Sequence, residues 1–218
     1  HSNTVDSDAV VLGTAMAISA DISSGNAIVA QDITVSYISG ADDQVANISV
    51  GDSASDIAAS LSTDLDGINA TATNSVTFDT LTGAENNTTN FDTISFTLSA
   101  DTASGSETAN ISFTAGTSAT LTDDAFDAAM ASAVAEINSS SNDSDLSYNK
   151  DNNTLTSASG VNIGILNIAD DNASGSGDDA TMNITGADGG GVTIDAAAPS
   201  AGDSTVVTGT VTVLSEGD

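Results

Sequence analysis

Apolar and polar residues alternate one by one through several stretches of the chain, the two-residue period of strands that bury one face. Met16, Ile18 and Ile22 alternate with Ala17, Ser19 and Asp21, and Ile33, Val35 and Tyr37 alternate with Thr34 and Ser36. Ile94, Phe96 and Leu98 follow the same rule, as do Val161, Ile163 and Ile165. Val207, Val211 and Val213 mark one face of a Thr-rich strand near the end. Clusters of Gly, Asp, Asn and Ser at 39–43, 99–107, 170–179 and 188–191 separate these runs and read as turns or loops. The pattern predicts a chain that is mainly β.

Two segments break the alternation in the same way. Ile57, Leu61 and Leu65 fall four residues apart and form one helical stripe. Ser53, with Asp56 three residues later, is a variant capping box that also puts negative charge in the first turn. A second helix is predicted from about Asp123 to Ile137, with the stripe Phe126, Met130, Ala133 and Ile137. Thr122 is its expected N-cap, and Asp123 and Asp124 suit the positive end of its dipole.

The flanks of the two helices also repeat. Ala46-Asn47-Ile48-Ser49-Val50 precedes the first and Ala109-Asn110-Ile111-Ser112-Phe113 the second, each behind an earlier strand at 33–37 or 94–98. After the first helix come Gly67-Ile68-Asn69-Ala70-Thr71-Ala72 and then Val76-Thr77-Phe78. After the second come Leu146-Ser147-Tyr148, a turn over 149–153, and Thr154-Leu155-Thr156-Ser157. This predicts two tandem β-β-α-β-β units in an α+β, mainly β chain, each helix covering the apolar face of a small sheet. Two copies of so long a period do not make a solenoid.

The first copy, Gly51-Asp52-Ser53-Ala54-Ser55-Asp56-Ile57-Ala58-Ala59-Ser60-Leu61 followed by Gly67-Ile68-Asn69-Ala70, resembles the flagellin IN motif of bacterial flagellins and of filament-cap and hook-associated proteins. The second keeps Asn153-Thr154-Leu155-Thr156-Ser157-Ala158-Ser159-Gly160 but has a longer helix and a longer preceding hairpin. On that resemblance the chain divides into an N-terminal strand region (1–30), a first flagellin IN-like unit (31–91), a second (92–168) and a C-terminal β region (169–218). The long terminal heptad helices that polymerise flagellins are missing, so either the resemblance is to the variable outer region alone or it is to a different surface protein that uses the same small unit. An outer domain inserted in such a protein leaves and rejoins its stem at one place, so residues 10–22 and 204–214 are expected to lie near each other.

Charge narrows the setting. One Lys, no Arg and 31 Asp and Glu residues give a formal net charge of -30. Such a chain cannot neutralise phosphates, which argues against a nucleic-acid partner, and anionic membrane surfaces repel it. Its carboxylates repel one another until salt shortens the Debye length to about 10 Å at ~0.1 M, so a salt-rich environment is expected, with stability rising with ionic strength. No stretch approaches the ~20 apolar residues of a membrane span. With no Cys, thiol catalysis, thiolate metal sites and disulfides are excluded, and an extracellular fold must rely on packing. The core must be built from Val, Ile, Leu and Ala, because there is no Trp, with five Phe and two Tyr. His1-Ser2-Asn3 lacks the basic and apolar regions of a signal peptide and reads as the start of an excised fragment.

The inventory argues against an enzyme. His1 is the only His, so a Ser-His-Asp triad has no base, and no HExxH zinc site exists. A glycosidase carboxylate pair has acids to draw on but no Trp for a sugar platform. One stretch suggests a metal: Asp170, Asn172, Ser174 and Asp178 supply oxygens in the spacing of the front half of a calcium loop, with Gly175 at the sharp turn. Thr181 stands where a bidentate Glu belongs and no paired helices flank it, which favours a solvated acidic loop. Gly189-Gly190-Gly191 has no following Lys and reads as a turn rather than a phosphate cradle. Asn47, Asn69, Asn86, Asn87, Asn110, Asn138, Asn142, Asn152, Asn172 and Asn183 begin Asn-x-Ser/Thr triplets, candidate N-glycan sites if the source is a haloarchaeon. The flagellin resemblance implies O-linked sugars instead.

The expectation is therefore a structural domain on the outside of an extracellular filament, with other filament subunits as partners and no cofactor. The alternatives are a calcium-dependent adhesin, a haloarchaeal surface-layer or pilin domain, or a filament-cap or hook-associated protein.

Overall fold

The computed structural model describes residues 16–17, 26, 28–36, 42–83, 85–87, 90–102, 105–115, 121, 124–141, 145–171, 180–196 and 203–215. Among them the fold is α+β and mainly β. Its strands are β1 (Met16–Ala17), β2 (Gln31–Val35), β3 (Gln44–Ile48), β4 (Ile68–Thr82), β5 (Glu85–Asn87), β6 (Asn90–Phe91), β7 (Thr93–Thr102) and β8 (Gly105–Thr114). They continue with β9 (Leu146–Asn149), β10 (Thr154–Ser157), β11 (Asn162–Asp170), β12 (Thr181–Gly186), β13 (Gly191–Asp195), β14 (Thr205–Val207) and β15 (Thr210–Ser215). The helices are α1 (Ala54–Asp64) and α2 (Asp124–Ser140).

One sheet has the order β1-β14-β11-β7-β8, and another the order β13-β12-β4-β10-β9, with β15 also pairing with β4. β2 and β3 form a hairpin of their own, as do β5 and β6. β4 ties the fold together. Its residues 68–73 pair with β15, 74–77 with β10 and 76–82 with β12, all antiparallel.

The larger core lies between the two main sheets. Phe96 and Leu98 of β7 and Ile163 and Ile165 of β11 meet Val76 and Phe78 of β4 and Met182 and Ile184 of β12 in one buried cluster. α2 closes this core with Phe126, Met130, Ala133 and Ile137, the stripe expected from the sequence. Phe126 sits edge-on to Phe78, Phe113 and Tyr148, with ring centroids 5.5, 5.1 and 6.1 Å away. The helix runs three residues beyond Ile137, and Thr122 and Asp123 fall outside the described residues.

The smaller core is built by α1 over β3, β15 and the first part of β4. Ile57, Leu61 and Leu65 are buried with Ala46, Ile48, Ala72 and Val211, and Val35 packs at the margin. α1 starts as its sequence requires: Ser53 Oγ accepts from the Asp56 amide at 3.2 Å, and Asp56 Oδ2 accepts from the Ser53 amide at 3.0 Å. Gly209 lets the chain pass from the first core to the second. A Cβ there would lie 2.4 Å from the Thr73 carbonyl oxygen.

Three sequence readings need correction. The two strands expected after α1 are one 15-residue strand, β4, because Asn74 at its middle is buried rather than turned out. The cluster 99–107 is mostly strand: β7 and β8 pair from Thr93↔Thr114 to Thr102↔Gly105, and the buried Ser99 hydroxyl meets that of Ser106 at 2.9 Å. The valines at 207, 211 and 213 do not share a strand, since Val207 belongs to β14 and the larger core while Val211 belongs to β15 and the smaller one. The nearness of the chain's two flanks is seen where it can be followed: Met16 and Ala17 pair with Val206 and Thr205. The remainder of 10–22 lies outside the described residues.

Candidate functional site

Of the four residues of the sequence-predicted calcium loop, Asp170 alone is described; Asn172, Ser174 and Asp178 lie outside the described residues. Asp170 ends β11, nearly buried, and its Oδ2 accepts from the Ala180 amide at 2.9 Å. Asp171 Oδ1 accepts from the Thr93 amide at 2.9 Å. The two carboxylates thus fasten the end of β11 to Ala180 and to Thr93. Thr181, at the place of the missing Glu, belongs to β12, its hydroxyl 2.6 Å from that of Thr82. Among the described residues no three His, Cys, Asp or Glu side chains gather in a way that could hold an ion.

A polar seam runs where the middle of β4 passes between the cores. Asn74 Nδ2 donates to the carbonyls of Val161 and Val207, both at 2.8 Å, joining β4 to the start of β11 and the end of β14. Gly160 sits against β4 with φ +77°, and a Cβ there would lie 2.4 Å from the Ala72 Cβ. Its carbonyl accepts from the Ser55 amide of α1 at 3.2 Å, and Ser157 Oγ accepts from its amide at 3.0 Å. Farther along the seam, Asn162 of β11 stands opposite Asp101 of β7 and hydrogen-bonds its carboxylate. Burial raises the Asp101 carboxyl above its ordinary range; the Asn162 hydrogen bond works against this and the Asp56 charge adds to it. Sequence reasoning passed over Asn74, Asp101 and Asn162. The signal for Asn74 was its place at an inward position of the alternation Ala72, Asn74, Val76, Phe78.

Beside the seam, a depression of about 250 Å³ is lined by Thr73, Asn74, Ser75, Thr156, Ser157, Ala158 and Ala187. None of these side chains is an acid or a base. Tyr148 is tied into the fold: its hydroxyl lies 2.9 Å from Asp127 Oδ1 and 3.2 Å from Asn153 Oδ1. Burial, and then the hydrogen bond to Asp127, hold its pKa far above the ordinary tyrosine value.

The outer face of the β4 sheet carries a lattice of hydroxyl and amide groups. Thr77 meets Thr154 at 3.1 Å, Ser147 meets Thr156 at 2.7 Å, and Asn183 donates to Thr80 at 2.9 Å and accepts from Thr193. Thr185 donates to Asp79 on the same face. Among the Asn-x-Ser/Thr positions, Asn47, Asn69, Asn110, Asn152 and Asn183 are exposed. Asn138 is committed to structure, donating to the Leu146 carbonyl at 2.7 Å and accepting from its amide at 3.0 Å. The Gly-rich run is a turn between β12 and β13, with Gly189 at φ +79° and the Gly190 amide donating to Asp188 Oδ1 at 2.9 Å. No helix among the described residues is long and apolar enough to cross a membrane. No protein-family model matches this chain, and no curated protein matches it.

Proposed function

We propose that this chain is a structural domain on the outside of an extracellular filament, the variable outer region of a flagellin from a salt-adapted bacterium, where it contributes to motility and to the surface the filament presents. The observation that carries the reading is the repeated order of a hairpin, a helix laid on apolar strands, and further strands: β2-β3-α1-β4, then β7-β8-α2-β9-β10. The flagellin IN-like identity of these units is part of the proposal and rests on the residues quoted for the resemblance. Two further features support it. Pairing of β1 with β14 brings the two flanks of the domain onto neighbouring strands, as an inserted outer domain needs. A net charge of -30 and a hydroxyl-lined sheet face suit a permanently hydrated surface. The domain acts by being displayed rather than by chemistry, its partners are other filament subunits, and exposed Ser and Thr are its sites for sugars.

Antibodies raised against the folded domain test this on intact cells of the source organism by electron microscopy. Labelling along the whole length of flagellar filaments is expected. Labelling confined to filament tips would replace the reading with a filament-cap protein, and labelling of the hook junction with a hook-associated one. Labelling of the envelope or of thin pili would favour the adhesin, surface-layer or pilin alternatives.

A further inference from the structure

β8 ends its sheet: among the described residues no strand pairs with its outer edge. Its ladder with β7 runs unbroken from Thr93↔Thr114 to Thr102↔Gly105. Just past that ladder the Ala115 amide donates to the Asp92 carbonyl at 2.9 Å, so residues 92 and 115 are a hydrogen-bonded pair. Such pairs recur at every second position of an antiparallel ladder, which turns the backbone of Glu107, Ala109, Ile111 and Phe113 toward β7. The amides and carbonyls of Ser106, Thr108, Asn110, Ser112 and Thr114 therefore face outward, and the same five residues are exposed. Edge strands that stay single are blunted by Pro, by Lys, by a bulge or by shortness. β8 has 10 residues, no Pro, no Lys or Arg and no shift of register. Its five exposed residues are also uncharged, in a chain of net charge -30, so a second copy can approach this strip without meeting carboxylates.

We propose that β8 pairs antiparallel with β8 of a second copy of this chain, about a two-fold axis at Asn110, so that two sheets become one. The outward set is symmetric about Asn110. This register therefore sets Asn110 against Asn110, Thr108 against Ser112 and Ser106 against Thr114 of the other copy, and it uses every outward amide and carbonyl. Hydroxyls and amides face one another on the exposed side. On the buried side Ala109 meets Ile111, and Glu107, the one acid of the strand, meets Phe113 rather than a second carboxylate. The axis also brings the two α2 helices toward each other, because Phe126 of α2 packs on Phe113. Between Asp124 and Glu136 the exposed residues of α2 are Ala125, Ala128, Ala131, Ser132 and Ala135, all short and uncharged, while Asp127 is half-buried and bound to the Tyr148 hydroxyl. Main-chain hydrogen bonds supply the attraction, and salt removes the long-range repulsion between the copies. The surface does not depend on the filament reading.

Sedimentation equilibrium of the full chain in molar NaCl tests the proposal. A monomer–dimer equilibrium is expected, shifting toward monomer as salt is lowered. Asn110→Asp sets two carboxylates against each other at the axis, and Ser112→Pro removes an outward amide from each copy while leaving the β7 ladder its bonds. Each should weaken the dimer about 10-fold, with circular dichroism checking that the variants fold. Asn47→Asp, the same change of charge on the exposed face of β3, should leave the equilibrium unchanged. The chain has no Cys, so single thiols read the register. Asn110→Cys lies about 5.5 Å, Cα to Cα, from its counterpart and should be joined by a short thiol cross-linker, whereas Ser106→Cys lies at the far end of the ladder from its own and should not. The proposal is overturned by a monomer at every salt concentration, by a dimer that Asn110→Asp and Ser112→Pro leave intact, by equal weakening in Asn47→Asp, or by equal cross-linking at the two thiol positions.

Discussion

The two helices of this protein cover cores of different make. Around α2, Phe78, Phe96, Phe113, Phe126 and Tyr148 pack with aliphatic residues from both main sheets. Around α1 the described core residues are Ala, Val, Ile and Leu, drawn from one hairpin, part of β4 and β15. Where aromatics are few, gathering them at one helix gives that region large buried areas and leaves the other to small side chains and polar fastenings. The capping box at Ser53 and Asp56 and the Ser55–Gly160 hydrogen bond are such fastenings. The same order of elements can therefore be held mainly by packing in one place and by packing plus specific hydrogen bonds in another.

Truncations separate the two regimes. Phe126→Ala removes the ring that touches three others and should cost about 4 kcal/mol, read from the denaturant midpoint in molar salt. Leu61→Ala, in the smaller core, should cost about 3 kcal/mol, while Ser60→Ala, off the buried stripe, should stay within ~0.5 kcal/mol of the parent. Equal losses at Leu61 and Ser60 would mean that α1 does not pack as described. Loss of the cap in Ser53→Ala should cost about 1 kcal/mol, while Ser53→Thr, which retains a capping hydroxyl, should recover most of it.

The smallest effect is electrostatic. Because the folded-state pKa of Asp101 is raised, the native chain holds this proton to higher pH than the unfolded chain does. Its contribution to stability therefore falls as pH climbs from the ordinary aspartate range through the raised value. Asp101→Asn should melt slightly higher than the parent at neutral pH, and that gain should vanish in acid, below both pKa values. A variant that melts lower at neutral pH, with the gap unchanged in acid, would assign Asp101 a purely structural hydrogen-bonding role.

Much of this architecture was legible because it obeys local rules. Both helices follow from four-residue stripes, and the start of α1 from Ser53 and Asp56. What escaped was set by partners distant in sequence. Asn74 looks like a break between two strands, yet its amide is held by the carbonyls of Val161 and Val207, 87 and 133 residues away. Ser99 and Ser106 look like a loop, yet the β7–β8 ladder and the bond between their hydroxyls make them strand. Thr208 and Gly209 look like the middle of a strand, yet the close approach of Thr73 at Gly209 is where the chain changes sheets. Asp170 was legible as an acidic residue at a loop, but not as the clamp on the Ala180 amide. The pairing of Asp101 with Asn162 joins residues 61 positions apart through a ladder that no local pattern announces.

The central structural claim is that the α1 and α2 cores are distinct in strength within one fold, joined through β4. Native-state hydrogen exchange on Leu61→Ala in molar salt tests it most directly. The account predicts faster exchange in β2, β3, α1 and residues 68–73 of β4, with β7, β8 and β11 keeping the protection of the parent. Equal acceleration in both regions would show a single cooperative core and contradict the account.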